Sequence, residues 1–159
     1  MKIYKSAKLL LIFILAFSAY NIHAQNIQKN NGLYYKNGML YTGTYTEYYD
    51  NNTVKAKYEI KNGSLDGQIF FYYQNGKNKE QQSYKEGIKN GIWINWDENG
   101  IKVAEANFVN DQKNGDWFVW NSKGILLYEM HYNMGEKSGT WKMYDDTGKL
   151  INQRSYPQK

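Results

Sequence analysis

Gly91-Ile92-Trp93-Ile94-Asn95-Trp96-Asp97-Glu98-Asn99-Gly100 reads as a short aromatic strand closed by an acidic-polar turn that ends in glycine. The same phrase runs from Gly67 to Gly76, from Gly115 to Gly124 and from Gly139 to Gly148. Its leading glycines fall at 43, 67, 91, 115 and 139, a constant step of 24 residues. A fixed period in this range marks a tandem array, in which each unit cannot bury its apolar face alone. Two and five residues after each leading glycine stand Tyr45/Tyr48, Ile69/Tyr72, Trp93/Trp96, Trp117/Trp120 and Trp141/Tyr144. All five tryptophans of the chain occupy these two offsets. They are read as one structural ladder: Trp93, Trp96, Trp117, Trp120, Trp141 and Tyr144.

After the turn, each unit alternates as a half-buried strand does. One parity ends on Ile60, Tyr84, Phe108, Tyr132 or Tyr156, and the other begins with Lys55-Lys57-Glu59-Lys61 and Lys79-Gln81-Ser83-Lys85. Turn residues Asn52, Gly76, Gly100, Gly124 and Gly148 call for a left-handed backbone. A second turn follows near Gly63, Gly87, Asp111 and Gly135. Two turns in 24 residues leave about six or seven residues per strand, the common length. Aromatic and β-branched content favours strands over helices. The expected fold class is therefore all-β: an elongated antiparallel meander of tandem 24-residue β-hairpins, with some ten to twelve strands. Pro157, the single proline, lies at the C-terminal edge, where it would discourage strand addition.

The N-terminus is of a different kind. Lys2, Lys5 and Lys8 precede an apolar run from Leu9 to Tyr20, and Ala24 offers a small residue before Gln25. This is the pattern of a secretory signal peptide over residues 1–24; the run is short for a membrane span, and an uncleaved anchor is the alternative. Residues 25–42 read as an N-terminal adaptor hairpin around Asn37-Gly38, and residues 43–159 as five tandem units with the last one truncated. The expected location is outside the cytoplasm: periplasmic, secreted or associated with the cell envelope.

Composition narrows the chemistry. No cysteine occurs, so disulfides, thiol nucleophiles and cysteine-bound metals are excluded. Three of the 20 basic residues and none of the acids lie in the leader, which leaves 17 basic against 15 acidic side chains. That near balance, with interrupted lysine runs, argues against nucleic-acid binding. His131 is the only histidine after the leader, and a triad needs more than that. Glu105 and Glu129 share an offset but have no cleft in a flat sheet. Asp97-Glu98-Asn99-Gly100 and Asp145-Asp146-Thr147-Gly148 lack the alternating ligands of a calcium loop. No catalytic, cofactor-binding or metal site is expected, and no cofactor.

The leading glycine, the aromatics at two and five, the glycine-closed turn and the tyrosine that ends the second strand resemble bacterial MORN-type repeats. Gly32-Leu33-Tyr34-Tyr35 through Tyr41-Thr42-Gly43, followed by tandem units, resembles the YwqK family of toxin–antitoxin antitoxins. The likeness covers residues 32–156. It implies hairpin arrays that serve as scaffolds, as partner-binding surfaces or in membrane association, and it carries no catalytic motif. Choline- or glycan-binding wall repeats are a weaker likeness.

One variable position stands out. At the offset where units one and two carry Lys55 and Lys79, the next three carry Val103, Leu127 and Ile151. An apolar stripe on a nominally polar face marks a partner site, and Lys55, Lys57, Lys79 and Lys85 would steer an acidic partner to it. A bulge or a curled sheet that exchanges the faces is the competing reading. The function expected is an exported, non-enzymatic protein-interaction scaffold. The alternatives are an antitoxin-like binder of one toxin, and an envelope or glycan module using Trp93, Trp117 or Trp141 as stacking platforms.

Overall fold

The computed structural model describes residues 26–158, so the expected leader lies outside the described residues. Every element among the described residues is a β-strand. Three short strands, β1 (Ile27–Asn30), β2 (Leu33–Lys36) and β3 (Met39–Leu40), form a small antiparallel sheet of their own. Asn31-Gly32 and Asn37-Gly38 make its two turns, all four residues at positive φ, as Asn-Gly turns between twisted strands require.

The rest is one 13-stranded antiparallel sheet. Five hairpins supply its ten long strands: β4 (Gly43–Tyr48) with β5 (Val54–Lys61), β7 (Gly67–Tyr72) with β8 (Asn78–Lys85), and β10 (Gly91–Trp96) with β11 (Lys102–Val109). The last two are β13 (Gly115–Trp120) with β14 (Leu126–Asn133), and β15 (Glu136–Tyr144) with β16 (Leu150–Tyr156). Two-residue strands β6 (Ser64–Leu65), β9 (Ile88–Lys89) and β12 (Gln112–Lys113) pair with the ends of β5, β8 and β11. They raise the count past the ten to twelve expected. The long strands lie in chain order and the sheet is open, so the antiparallel meander of 24-residue hairpins expected from the period is the architecture found.

Local chemistry repeats with the period. In the third to fifth units, Asp97, Asn121 and Asp145 each accept two backbone N–H bonds on Oδ1, at 2.9–3.0 Å, from their own turn. In the first two units Tyr49 and Tyr73 hold that place, and each hydroxyl donates to a carbonyl of the next hairpin, Tyr72 O and Trp96 O, at 2.7 Å. The closing residues Asn52, Gly76, Gly100, Gly124 and Gly148 all have φ between 62° and 87°. Successive hairpins pair strand to strand, β5 with β7, β8 with β10, β11 with β13 and β14 with β15. The second turns add the backbone bonds Gly63 N to Tyr41 O, Gly87 N to Leu65 O, Asp111 N to Lys89 O and Gly135 N to Lys113 O, at 2.7–3.0 Å. Nearest-neighbour bonds of this kind are what join the units of a solenoid.

The second turn opens on Asn62, Glu86, Asn110 or Met134, all at φ 45–52°. Met134, φ 45°, takes a left-handed conformation that a long side chain disfavours, and it is 48% exposed. Met134→Asn is expected to raise stability by about 0.5–1 kcal/mol, read as a higher urea midpoint at unchanged slope.

Candidate functional site

Cross-strand partners share a face, so the pairing register assigns each side chain to one side of the sheet. On the first side runs a continuous ring ladder: Tyr84, Trp93, Phe108, Trp117, Tyr132, Trp141 and Tyr156. Its six successive centroid separations are 5.1–5.5 Å. The indole N–H groups of Trp93, Trp117 and Trp141 donate to Ser83 O, Asn107 O and His131 O at 2.9–3.2 Å. Lys89, Lys113 and Lys137 place their ammonium groups 4.4–4.5 Å from the same three indoles. Each of these tryptophans is held between two rings, a carbonyl and a cation. Sugar stacking would have to displace that packing.

Trp96, Trp120 and Tyr144 do not belong to this ladder. Offsets two and five differ by an odd number, so their side chains leave opposite faces of a strand. Trp120 packs on Phe118 at 5.6 Å, under the Lys102 ammonium at 4.6 Å, and Phe70 packs on Tyr72 at 6.4 Å. The single ladder expected from the sequence is therefore two rows, one per face. On the second face lie the ion pairs Lys102–Glu105 at 2.8 Å and Lys142–Glu129 at 3.0 Å, and Tyr144 also donates to Glu129. The bond and charge of Glu129 hold the Lys142 ammonium above its ordinary pKa. Glu105 and Glu129 are thus each neutralised by a lysine.

His131 is paired rather than lone: its Nδ1 lies 2.6 Å from Asp116 Oδ1. Ser138 stands opposite His131 on β15, which puts Asp, His and Ser in one row across three strands. The Ser138 hydroxyl is buried and has no hydrogen-bond partner among the described residues, so it is not engaged by the imidazole. No group of three or more potential metal ligands occurs among the described residues.

The residues of the expected docking stripe share a feature that the alternating pattern hides. The register slips by one residue in every hairpin, and the extra residue is Lys55, Lys79, Val103, Leu127 or Ile151 in turn. All five sit on β-bulges, where simple alternation fails. Ile151 is 56% exposed, whereas Val103 and Leu127 are half-buried. Lys55, Lys57, Lys79 and Lys85 are exposed, and Lys79 Nζ lies 5.7 Å from the Tyr73 ring centroid. One intervening strand separates consecutive bulges, so the row advances roughly 9–10 Å per unit.

The ladder breaks in the second unit, where Ile69 stands at the position of Trp93, Trp117 and Trp141. There a cleft of about 330 Å³ opens between Tyr84 on one side and the cluster Tyr34, Tyr45 and Tyr58 on the other. Tyr45 and Tyr58 stack at 5.6 Å, and Tyr34 lies 6.2 and 6.0 Å from them. Glu47 enters the cleft and accepts the Tyr58 hydroxyl at 3.2 Å. Leu65 lines it where the later units place Lys89, Lys113 and Lys137. Lys29, from β1, reaches over the Tyr34 ring at 5.1 Å. The space exists because a branched aliphatic replaces an indole, and the N-terminal sheet closes one side. No single motif in the sequence signals it; only the exceptions to the repeat do.

Burial pushes the hydroxyl pKa of Tyr58, Tyr34, Tyr45 and Tyr84 upward, and nearby carboxylates add to it, Glu47 for the first three and Glu80 for Tyr84. The folded chain keeps these protons at pH values where the unfolded chain has lost them. Stability is therefore full below the ordinary tyrosine pKa of about 10 and falls as pH rises beyond it. Phenolate absorbance is expected to show a late-titrating class that merges with the rest on unfolding, and Tyr58→Phe to shrink it.

The profile of the MORN repeat variant family matches residues 41–62, 65–86, 89–110 and 137–156, more than half of the chain. The chain belongs to the MORN repeat variant family. Each matched MORN segment begins two residues before a leading glycine, at Tyr41, Leu65, Lys89 or Lys137. The hairpin between the third and fourth matches is unmatched, yet it makes the same bonds, Gly124 N to Asn121 O and Gly135 N to Lys113 O. No curated protein matches the chain. MORN repeats are in general non-catalytic modules that bind proteins or membranes.

Proposed function

We propose that this MORN repeat chain is an exported, non-enzymatic scaffold that docks a protein partner on the second face of its sheet and along the row of bulges. The observation that carries this reading is a single-layer sheet with apolar side chains left in solvent. Tyr48 is 56% exposed, Ile92 42% and Leu150 44%, all on the second face, and Ile151 joins them from its bulge. Exposed apolar patches of this kind mark interaction sites. The bulge row supplies direction: Lys55 and Lys79 at one end favour an acidic region of the partner, and Val103, Leu127 and Ile151 at the other favour an apolar one. Export rests on the leader pattern of residues 1–24. The antitoxin-like role is a narrower form of the same binding function, and its support is the resemblance of Gly32 to Gly43 and the units after it.

The test is crosslinking capture from the cell envelope by the full chain and by two folded variants, Leu127→Lys and Ile92→Lys. Loss of the same captured protein in both variants is expected. Capture that survives both substitutions rules out this surface.

A further inference from the structure

The cleft at Ile69 lacks something that the other steps of the ladder have. At Trp93, Trp117 and Trp141 the chain lays a lysine ammonium over two rings, at 4.5 and 5.2 Å, 4.4 and 4.8 Å, and 4.4 and 5.5 Å. At the Ile69 step the corresponding side chain is Leu65, which brings no charge, and Ile69 fills less volume than an indole. What lines the resulting space is suited to a cation. Tyr45, Tyr58 and Tyr84 present ring surface, and Glu47 contributes a carboxylate whose bonded partner among the described residues is the Tyr58 hydroxyl rather than an ammonium. A second carboxylate, Glu80, stands behind Gln82, which donates to it at 2.7 Å and accepts the Tyr84 hydroxyl at 3.1 Å.

We propose that this cleft is a binding site for an alkylammonium group supplied from outside the chain, taking the place that Lys89, Lys113 and Lys137 take in the later units. Aromatic faces attract such a cation through the ring quadrupole, most strongly where water is partly excluded, and a carboxylate beside them adds charge and selects against neutral molecules of the same shape. The volume of about 330 Å³ lies at the small end of ligand sites and admits a butylammonium or trimethylammonium group with its attached chain. Lys29, which itself lines the cleft, lays its ammonium 5.1 Å from the Tyr34 ring centroid, so the ring cluster already accepts a cation. The Lys29 side chain is exposed, and its charge works against an incoming ligand, which has to displace it from the ring.

The proposal does not depend on a protein partner. A primary ammonium would come from a lysine side chain and a quaternary one from a choline-type head group; the cleft chemistry serves both. The test titrates the full chain with n-butylammonium, choline and, as a neutral control, n-butanol, and follows the tyrosine ring resonances by NMR. Saturable shifts of Tyr45, Tyr58 and Tyr84 with a dissociation constant of about 1–10 mM are expected for one or both cations. The tighter of the two identifies the source. Glu47→Gln should weaken binding about fivefold or more, and Lys29→Ala should tighten it a few-fold. Leu65→Lys, which restores the lysine of the other units, should abolish it with the far-UV spectrum unchanged. Equal binding of n-butanol, no saturable shift with either cation, or undiminished binding in Leu65→Lys overturns the proposal.

Discussion

Trp117→Ala is expected to destabilise the chain by about 3–5 kcal/mol, the range for removing a large aromatic from a packed site. Trp117 lies between Phe108 and Tyr132, each at 5.2 Å, carries Lys113 at 4.4 Å and donates to Asn107 O at 3.0 Å. Each aromatic contact is worth about 0.5–1.5 kcal/mol beyond area burial. Its position near the middle of the array makes the loss a break between two halves, because each unit holds only its neighbours. Trp120→Ala is the control. It is the same residue type in the same strand, but it faces the other side, with Phe118 and Lys102 as ring partners. About 1–2 kcal/mol is expected there, the range of ordinary point substitutions. Urea unfolding of both variants measures the difference. Equal losses would mean that the ladder is not the main tie between units.

Gly63→Ala is expected to cost about 2–4 kcal/mol and to act on one end of the molecule. Gly63 has φ 79°, where a side chain is strained, and an added Cβ would lie 2.6 Å from Leu40 Cδ2 and 3.2 Å from Tyr34 O. The same residue donates to Tyr41 O and accepts from Tyr34 N, both at 2.8 Å. It is the point where the N-terminal sheet is fastened to the main one, beneath buried Tyr34. Hydrogen exchange should report faster exchange at the Tyr34 amide, with little change at the far end of the array. Faster exchange throughout would contradict a local role.

The two substitutions act on features that differ in how they can be read. The step of 24 residues, the glycine-closed turns and the strand lengths come from short-range chemistry, since a turn needs its own few residues and little else. Trp93, Trp117 and Trp141 could be placed in one row from spacing alone. Their separation from Trp96, Trp120 and Tyr144 was also legible, because a step of three residues changes face; the shared motif concealed it. Offset three, with Phe70, Ile94 and Phe118, belongs to the second row as well, and its apolar recurrence was the available signal.

By itself the sequence determined the repeat unit, its turns, its all-β character and the absence of thiol chemistry. Those depend on spacing and composition, which the chain carries locally. Tertiary structure decided the face on which each side chain lies, because one bulged residue in every hairpin, from Lys55 to Ile151, interrupts an alternation that the sequence shows as unbroken. It also decided the cleft. Ile69 and Leu65 are unremarkable apolar residues in the chain, and they bound a site only because Tyr58, Tyr84 and the N-terminal sheet are brought to them from other strands. Such a site is a property of which neighbours meet across the sheet, and local chemistry does not specify that.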